Sequence, residues 1–466
     1  MKSFAIKLMT VSLVGLLLII AGAMVRGVVT DRLVFREQAR QSVAESLAGA
    51  QSLNGVGLVL DYTEQYEEPV RDATDRVLRH ETRRIEHRHV VLPDSLALSG
   101  QLITEPRYRG LFRVNGYVLA GRLHGAFTVP ALEQLPRSRK ESTLQPGTAR
   151  LAFAVSDPRG LRRLDMRVDG RTLVAEAGSG LNGLRSGAQA AAGALGTLAG
   201  RSLPFELNLE LVGTDSFAMV PMARENTATL NSPWPHPSFG GRFLPVQRET
   251  NERGFNAMWR VSALATNAGN LWQERASGGT AEAHAGKSLD AFTVALVDPV
   301  DVYVMADRAS KYAVLFVVLT LGACLLFELL RRLQLHALHY LLTGAALLMF
   351  FVLLLALAEH IGFGPAYGVA ATACVTLIGV YLASLLRSRA LAAGFTGGLA
   401  LLYGALYGIL LSEQNALLMG SLLLFGLLAA VMLATRKVDW HGLLLDRGNA
   451  ARPIGEGNQK PVNEVV

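Results

Sequence analysis

Three histidines in one short stretch are the residues that most resemble metal ligands. On a β-strand His87 and His89 would share one face, and His80 precedes them. Zinc sites use imidazole ligands in this way. Arginines crowd these histidines, no cysteine is near, and a third ligand is unassigned. A solvated surface is therefore favoured, and no metal or other cofactor is expected.

The basic stretch Arg76–Arg88 around those histidines could meet anionic lipid headgroups. Glu81 and Glu86 lie among its arginines. A salt-bridged surface is therefore the favoured interpretation.

Catalytic patterns are not apparent. Ser186 and Ser277 adjoin glycines but lack the strand–turn–helix context of a nucleophile elbow. The chain has no phosphate-binding loop, dinucleotide glycine motif or zinc-protease helix. Nothing positive supports an enzyme, and a membrane-bound hydrolase is only a third alternative.

The composition indicates a membrane protein. The chain has 466 residues, 50% hydrophobic and 18% charged, with a mean hydropathy of +0.30. This excludes a disordered or fibrous protein and argues against an ordinary soluble one. The net charge is +7, but Gly27–Asp307 carries 31 basic and 31 acidic side chains. The excess lies in the membrane-associated parts, mostly beside the apolar runs, so it does not support nucleic-acid binding.

Six apolar runs predict six transmembrane helices, because each has about the 20 residues that cross a bilayer. The runs are Leu8–Val25, Ala313–Leu330, Tyr340–Ala358, Ala366–Leu386, Leu391–Leu411 and Ala416–Thr435. The predicted fold is a polytopic α-helical membrane protein with a large exported domain between spans 1 and 2.

The charges of the short loops predict the orientation. The loops after spans 2, 4 and 6 contain arginine or lysine, whereas residues 359–365 and 412–415 contain neither. The basic loops lie on the side of Lys2 and Lys7. The positive-inside rule therefore places both termini in the cytoplasm and Gly27–Asp307 outside the membrane, in the periplasm.

The expected domains follow from this topology. They are residues 1–26 (N-terminus and first span), 27–307 (periplasmic domain), 308–437 (five-helix domain) and 438–466 (cytoplasmic tail). Ala21-Gly22-Ala23 resembles a signal-peptide cleavage site, but the long apolar run favours an uncleaved anchor. The first helix could continue out of the membrane through Val28–Ala50.

The exported domain is predicted to be rich in β-strands. Asp169-Gly170 between alternating runs is a strong hairpin signal, and Asn115-Gly116 is a weaker one. Strict alternation over Phe205–Leu211 predicts a half-buried strand. Cys324 and Cys374 both fall in predicted spans, so no disulfide is expected outside.

Two segments depart from the strand pattern. Gly178–Gly200 is rich in alanine and glycine, which suits a flexible loop or a short, poorly specified helix. Asn231–Pro245 carries four prolines among three aromatic residues, which predicts an irregular surface segment. It is a candidate interaction loop, although rings tucked onto the sheet are the favoured reading.

Polar groups in the spans bear on transport. Glu328 is expected to reach the interface beside Arg331, and Glu359-His360 form a candidate polar pair at the outer membrane edge. The favoured view of this pair is a helix end facing lipid headgroups. Gly404 and Gly408 stand four residues apart on one helix face, which suits helix packing or dimerisation.

The sequence resembles the CreD family of bacterial inner-membrane proteins over nearly its whole length. The resemblance is carried by NSPWPHPSFGGRFLP (Asn231–Pro245), GFNAMWRVS (Gly254–Ser262), DRASKYAVLF (Asp307–Phe316), LHALHYLLTGAALLMFFVLLLALAEHIGF (Leu335–Phe363) and RKVDW (Arg436–Trp440). It marks Trp234, His236, Pro237, Phe239, Glu359 and His360 as signature residues without assigned roles. Gly178–Gly200 shows no family signature and resembles a variable insertion.

The resemblance implies a role in cell-envelope integrity or envelope stress, under two-component control, with altered tolerance to colicins and β-lactams. The favoured function is a non-enzymatic protein whose exported domain is an interaction module. The alternative is a transporter or lipid-handling permease. The expected partners are the lipid bilayer and periplasmic or envelope proteins or glycans, with a homo-oligomer as a further option and no nucleic acid.

Overall fold

The computed structural model describes residues 2–71, 77–277, 288–298, 301–331, 335–386, 389–412 and 416–436. The chain divides into two compact units. The β-rich unit is Arg36–Pro299, and the helical unit combines Met1–Phe35 with Val300–Val466. The predicted tail, 438–466, and most of the RKVDW motif lie outside the described residues.

Nine helices are present in the described ranges. They are α1 (Lys2–Ser46), α2 (Leu195–Leu198), α3 (Ala268–Ser277), α4 (Val302–Lys311), α5 (Ala313–Arg331), α6 (Ala337–Ile361), α7 (Phe363–Leu386), α8 (Arg389–Leu411) and α9 (Ala416–Thr435). The continuation of the first helix beyond its apolar run is confirmed, because α1 extends unbroken to Ser46.

The strands all belong to the β-rich unit. They are β1 (Gln51–Arg71), β2 (Val77–Val91), β3 (Ser95–Arg109), β4 (Phe112–Thr128), β5 (Thr143–Val155), β6 (Leu161–Val168), β7 (Arg171–Leu173), β8 (Glu176–Ala177), β9 (Gly187–Ala194), β10 (Ser202–Thr214), β11 (Ser216–Met219), β12 (Glu225–Ser232), β13 (Pro237–Gly241), β14 (Gln247–Asn251), β15 (Gly254–Ser262) and β16 (Phe292–Leu296). The prediction of a large β-rich domain is confirmed.

The strands form two sheets of eight that share one apolar core. Sheet A has the order β13-β16-β11-β1-β5-β9-β8, with β2 also paired to β1. Sheet B has the order β14-β15-β12-β3-β4-β10-β6-β7. Tyr117, Phe153 and Trp259 are fully buried between the sheets. Burying one face of each sheet against the other is the standard route to a stable β layer.

Four helices are long and apolar enough to cross a membrane: Ile6–Ser46, Ala337–Ile361, Phe363–Leu385 and Arg389–Leu411. Val302–Lys311 and Ala313–Leu326 meet at a 41° bend and would form a fifth span if taken together. The sixth predicted span falls on α9, where Leu418–Leu433 is a shorter apolar helix. Among the described residues, four helices, or five if the bent pair is taken as one, are therefore long and apolar enough to cross a membrane, and six spans remain a prediction.

The two hairpin predictions have different outcomes. Asp169-Gly170 is a turn, and β6 and β7 pair across it from Val168 to Arg171. The hairpin at Asn115-Gly116 is wrong, because β4 runs straight through these residues. A Cβ on Gly116 would lie 2.7 Å from the carbonyl oxygen of Glu105. This glycine therefore serves a close approach of neighbouring strands rather than a turn.

Phe205–Leu211 is confirmed as a half-buried strand. Its leucines and phenylalanine are buried within β10, while the intervening Glu206, Asn208 and Glu210 are half-buried. The flexible-loop reading of Gly178–Gly200 is wrong in part, since β9 pairs with β5 there and α2 follows. Ala188 and Ala190 are buried, so small side chains here permit close packing.

Candidate functional site

The candidate interaction segment, Asn231–Pro245, is more regular than its prolines suggested. Residues Pro237–Gly241 form β13, which pairs with β16. Pro237 is the first residue of the strand, a position that proline tolerates in a sheet. The prediction of a wholly irregular segment is therefore wrong, although residues on both sides of β13 lie outside strands.

Trp234 anchors this segment. It is only 8% exposed and joins the apolar core. Its backbone N–H donates to the Ser232 hydroxyl at 3.2 Å, and its indole Nε1 donates to the His236 carbonyl at 3.0 Å. These bonds fix the chain as it enters β13, so Trp234 holds the segment in place.

Phe239 holds β13 from the core side. Its ring meets Phe255 and Trp259 edge-on, at 5.6 and 5.7 Å between centroids. Trp259 in turn stacks on Phe292 of β16 at 4.6 Å. Aromatic contacts of this kind stabilise beyond the area they bury. Phe239 is therefore part of the packing, as the favoured reading of this segment anticipated.

The exposed residues of this segment are not the same set as the predicted interaction residues. His236 and Ser238 are exposed, and Pro237 is half-buried. Leu244 and Val246, which follow β13, are 65% and 68% exposed. Sequence reasoning did not single out these two. Their exposure depends on where β13 ends, which hydropathy does not reveal.

The histidine stretch lies on β2 and carries ion pairs. Arg83 contacts Glu68 and Arg88 contacts Asp61, each at 3.0 Å. Cross-strand pairing of β1 and β2 brings these opposite charges together. The prediction of a salt-bridged surface is confirmed here. Arg76 lies outside the described residues.

His87 binds a carboxylate instead of forming a three-ligand cluster. Its Nε2 lies 2.7 Å from Glu64, and its ring stacks on Tyr62. In the part of the chain that the structure describes, no group of three or more His, Cys, Asp or Glu side chains could hold a metal ion.

Glu64 is fully buried beneath the segment that precedes β5. Its carboxylate accepts hydrogen bonds from the backbone N–H groups of Ser138 and Arg139 at 2.8 and 2.9 Å. Burial alone would raise the pKa of Glu64. Contacts with Ser142, these two N–H groups and His87 outweigh burial and hold this pKa far below its usual range. Glu64 is therefore a structural anion.

The predicted Glu359-His360 pair does not act as a unit. Glu359 lies 3.6 Å from Arg32 of α1, with 6% of its side chain exposed. His360 is exposed, and its Nδ1 lies 3.0 Å from the Ala356 carbonyl of its own helix. Helix α6 ends one residue later, before Gly362 at φ 80°. Arg32 could have been identified from the sequence, because it is a charged residue one or two helical turns beyond the first apolar run.

The sequence suggested that Glu328 reaches the membrane interface. The structure instead buries it. It is 1% exposed, forms an ion pair with Lys7, and accepts a hydrogen bond from the Tyr340 hydroxyl at 2.7 Å. This Lys7–Glu328–Tyr340 cluster joins α1, α5 and α6. The cluster could have been anticipated, because the loop charges already placed Lys7 and the end of span 2 on one side.

Gly404 and Gly408 have open space beside them. A Cβ on either would meet no atom within 4 Å, so no described side chain fills the space directly beside them. Gly404 instead lines a cavity of about 460 Å³ between α7 and α8, together with Tyr367, Tyr407 and Thr372. Packing against another chain remains a prediction for both glycines.

Both cysteines are buried in the helical unit and unpaired. In the β-rich unit, stability therefore rests on the shared core and on polar contacts such as those of Glu64, which agrees with the sequence expectation for a domain without disulfides.

Comparison with known proteins gives a consistent result. A family model described as "Inner membrane protein CreD" matches residues 3–441. The inner membrane protein CreD of Escherichia coli (strain K12) is 34% identical over 442 residues, which cover 94% of each chain. These matches include both the β-rich and the helical unit. The chain therefore belongs to the CreD family of inner membrane proteins.

Proposed function

We propose that this inner membrane protein supports cell-envelope integrity or the envelope stress response without being an enzyme, and that its β-rich unit is a periplasmic interaction module. The observation that carries this proposal is the position of β13 at the edge of sheet A. An edge strand offers unpaired backbone N–H and C=O groups to an extended segment of another protein. An envelope protein bound in this way is the proposed partner.

The surroundings of β13 support such binding. Trp234 and Phe239 fix the strand from the core side, so the edge is rigid before a partner arrives. His236 and Ser238 are exposed, and Leu244 and Val246 add apolar surface after the strand. Rigid edges lose little conformational entropy on binding.

The proposed topology has six spans, both termini in the cytoplasm, and residues 27–307 in the periplasm. Its support is the distribution of arginine and lysine among the short loops. A cysteine at Val174, which is 85% exposed, should react with an impermeant maleimide added to intact spheroplasts. Reaction only after lysis would place the β-rich unit in the cytoplasm and refute this orientation.

The interaction surface is tested by a matched pair of leucines. Leu244→Ser combined with His236→Ala should abolish the β-lactam or colicin phenotype of the intact protein while its membrane level and melting temperature stay normal. Leu264→Ser is the control, because Leu264 is 98% exposed elsewhere on the unit. Full complementation by the Leu244/His236 variant would exclude β13 as the working surface.

A transporter or lipid-handling permease is the second candidate, and the buried Glu328 favours it. Ionisable groups inside membrane proteins frequently mark transport pathways. Flux or lipid-flip assays in proteoliposomes decide between the two. Activity of the wild-type protein that is lost in Glu359→Gln, with an unchanged melting temperature, would favour the permease, whereas no flux in the wild-type protein would favour the interaction module.

A further inference from the structure

We propose that the turn between β3 and β4 is a membrane-contact surface that binds anionic phospholipid headgroups. This β3–β4 tip comprises Tyr108, Arg109, Gly110, Leu111 and Arg113. Tyr108 is 66% exposed and Leu111 is 57% exposed, and both arginines are also exposed. Two large, mostly apolar side chains and two cations therefore share the end of one hairpin.

The two arginines of the tip are not neutralised by any carboxylate of the described residues. Arg107, just below it, pairs with Glu105 at 2.6 Å. Arg109 and Arg113 have no carboxylate partner among the described residues. The arginines of β2 differ, because Arg83 and Arg88 each face a carboxylate at 3.0 Å. The β3–β4 tip is therefore left with two cations for an external anion.

The residue types suit the lipid interface. Tyrosine concentrates at the headgroup level of bilayers, where its ring and its hydroxyl are both satisfied. Guanidinium groups bind phosphate through two parallel hydrogen bonds. Each basic residue near an anionic membrane surface strengthens binding about fivefold. Leu111 adds an apolar side chain that can enter the acyl boundary.

The tip projects beyond the rest of sheet B. Leu111 lies four residues before Asn115, or about 13 Å along the strand. Asn115 is still held by the body of the unit, since its side-chain Nδ2 donates to the Leu296 carbonyl at 3.2 Å and to Asp298 at 3.1 Å. The pairing of β10 with β4 ends at Gly116 and that of β12 with β3 ends at Gln101, so the β3–β4 turn extends past both neighbouring strands.

Both connections to the helical unit leave from this same end of the β-rich unit. Asp298 lies one residue before the boundary at Pro299. On the other side, Arg40 of α1 donates to Asp215 at 2.9 Å, and the Asp215 N–H donates to the Asn115 carbonyl at 2.9 Å. Arg40 and Asp298, which lie near the two chain ends of this unit, are thus both held beside Asn115 at the base of the tip.

The test uses the full chain in vesicles made of equal parts phosphatidylglycerol and phosphatidylethanolamine. Leu111→Cys carries an environment-sensitive fluorophore, and lipids spin-labelled near the headgroup act as quenchers. Val174→Cys is the control, because Val174 is exposed and follows the β6–β7 hairpin. That hairpin lies at the opposite end of β10 from the tip, as the pairs Phe205↔Val168 and Thr214↔Gly116 show. The native cysteines are buried, and the unsubstituted protein gives the background.

Quenching at Leu111 should exceed that at Val174 several-fold. It should fall to the Val174 level when Arg109→Gln and Arg113→Gln are introduced together, and also in phosphatidylcholine vesicles. Equal quenching at the two positions overturns the proposal. Quenching that does not change with the arginine substitutions or with the lipid charge also overturns it. A blue-shifted but unquenched probe overturns it too, because it would mean that protein covers the tip. An unchanged melting temperature of the arginine variant confirms that its fold is intact.

Discussion

Lys7 and Glu328 form an ion pair between α1 and α5, and Tyr340 of α6 donates to the same carboxylate at 2.7 Å. Two consecutive helices, α5 and α6, therefore meet the sequence-distant α1 at one charge that is 1% exposed. Taking such a charge out of water is costly, and the partner that balances it then becomes hard to remove. The ion pair thus specifies how the helices of this unit are registered.

Replacing one partner of this pair should destabilise the helical unit by about 3 kcal/mol or more. Lys7→Met should cost more than Glu328→Gln, because it leaves the more buried group without its counterion. The double variant should recover much of the loss. Denaturant unfolding of the detergent-solubilised chain measures each step. Lys311→Met is the control, since its pair with Asp307 is half exposed. Additive losses would contradict the coupling.

Glu64→Gln should lower stability most near neutral pH. The folded pKa of Glu64 lies below the ordinary value of 4.5, so its carboxylate stabilises the fold fully above about pH 4.5. That contribution is lost as the pH falls from there towards the folded pKa. The difference in melting temperature between wild type and Glu64→Gln should therefore narrow on acidification. Glu67→Gln, at an exposed position of the same strand, is the control for the substitution itself.

Trp234→Ala should lower the stability of the fold, because Trp234 is a core residue and not part of an exposed binding surface. Truncation of a buried tryptophan typically costs about 3–5 kcal/mol. His236→Ala, two residues on, removes an exposed side chain and should cost about 0.5 kcal/mol or less. Thermal unfolding compares the two. A Trp234→Ala variant as stable as wild type would show that the indole is dispensable for the fold.

Gly116→Ala should destabilise the β-rich unit by about 1–3 kcal/mol, because its Cβ would press on the Glu105 carbonyl. Gly240→Ala is the matched control, since nothing lies within 4 Å of its Cβ position and its φ is not positive. Melting temperatures of the two variants should differ clearly. Equal values would mean that β3 and β4 can separate slightly at no cost.

Local sequence patterns predicted those strands, turns and helices that are determined by residues close to one another in the sequence. Strict alternation identified β10, Asp-Gly identified the β6–β7 turn, and the apolar runs identified most of the membrane helices. The hairpin prediction at Asn115-Gly116 was wrong because the same dipeptide suits either a turn or a close approach of two paired strands. Only the pairing of Gly116 with Glu105 across two strands distinguishes these cases, and that pairing is not local.

The sequence singled out the candidate segment but not the structural roles of its residues. The signature residues Trp234 and Phe239 are packing residues, whereas Leu244 and Val246 hold the exposed apolar surface. Likewise, hydropathy located Glu328 but not its burial, because burial depends on Lys7 from a helix some 320 residues earlier. Contacts between residues so far apart produce no periodic pattern in the sequence.

The strand order of sheet A has a consequence for biosynthesis. Strand β16 lies between β13 and β11, yet its residues, Phe292–Leu296, are among the last of the β-rich unit to be synthesised. Until they emerge, β11 lacks its antiparallel neighbour and β13 has nothing to join. Folding that waits for distant segments is slow and leaves strand edges open to aggregation. The nascent chain therefore needs protection through nearly 300 residues of translation, until one five-residue strand closes the sheet.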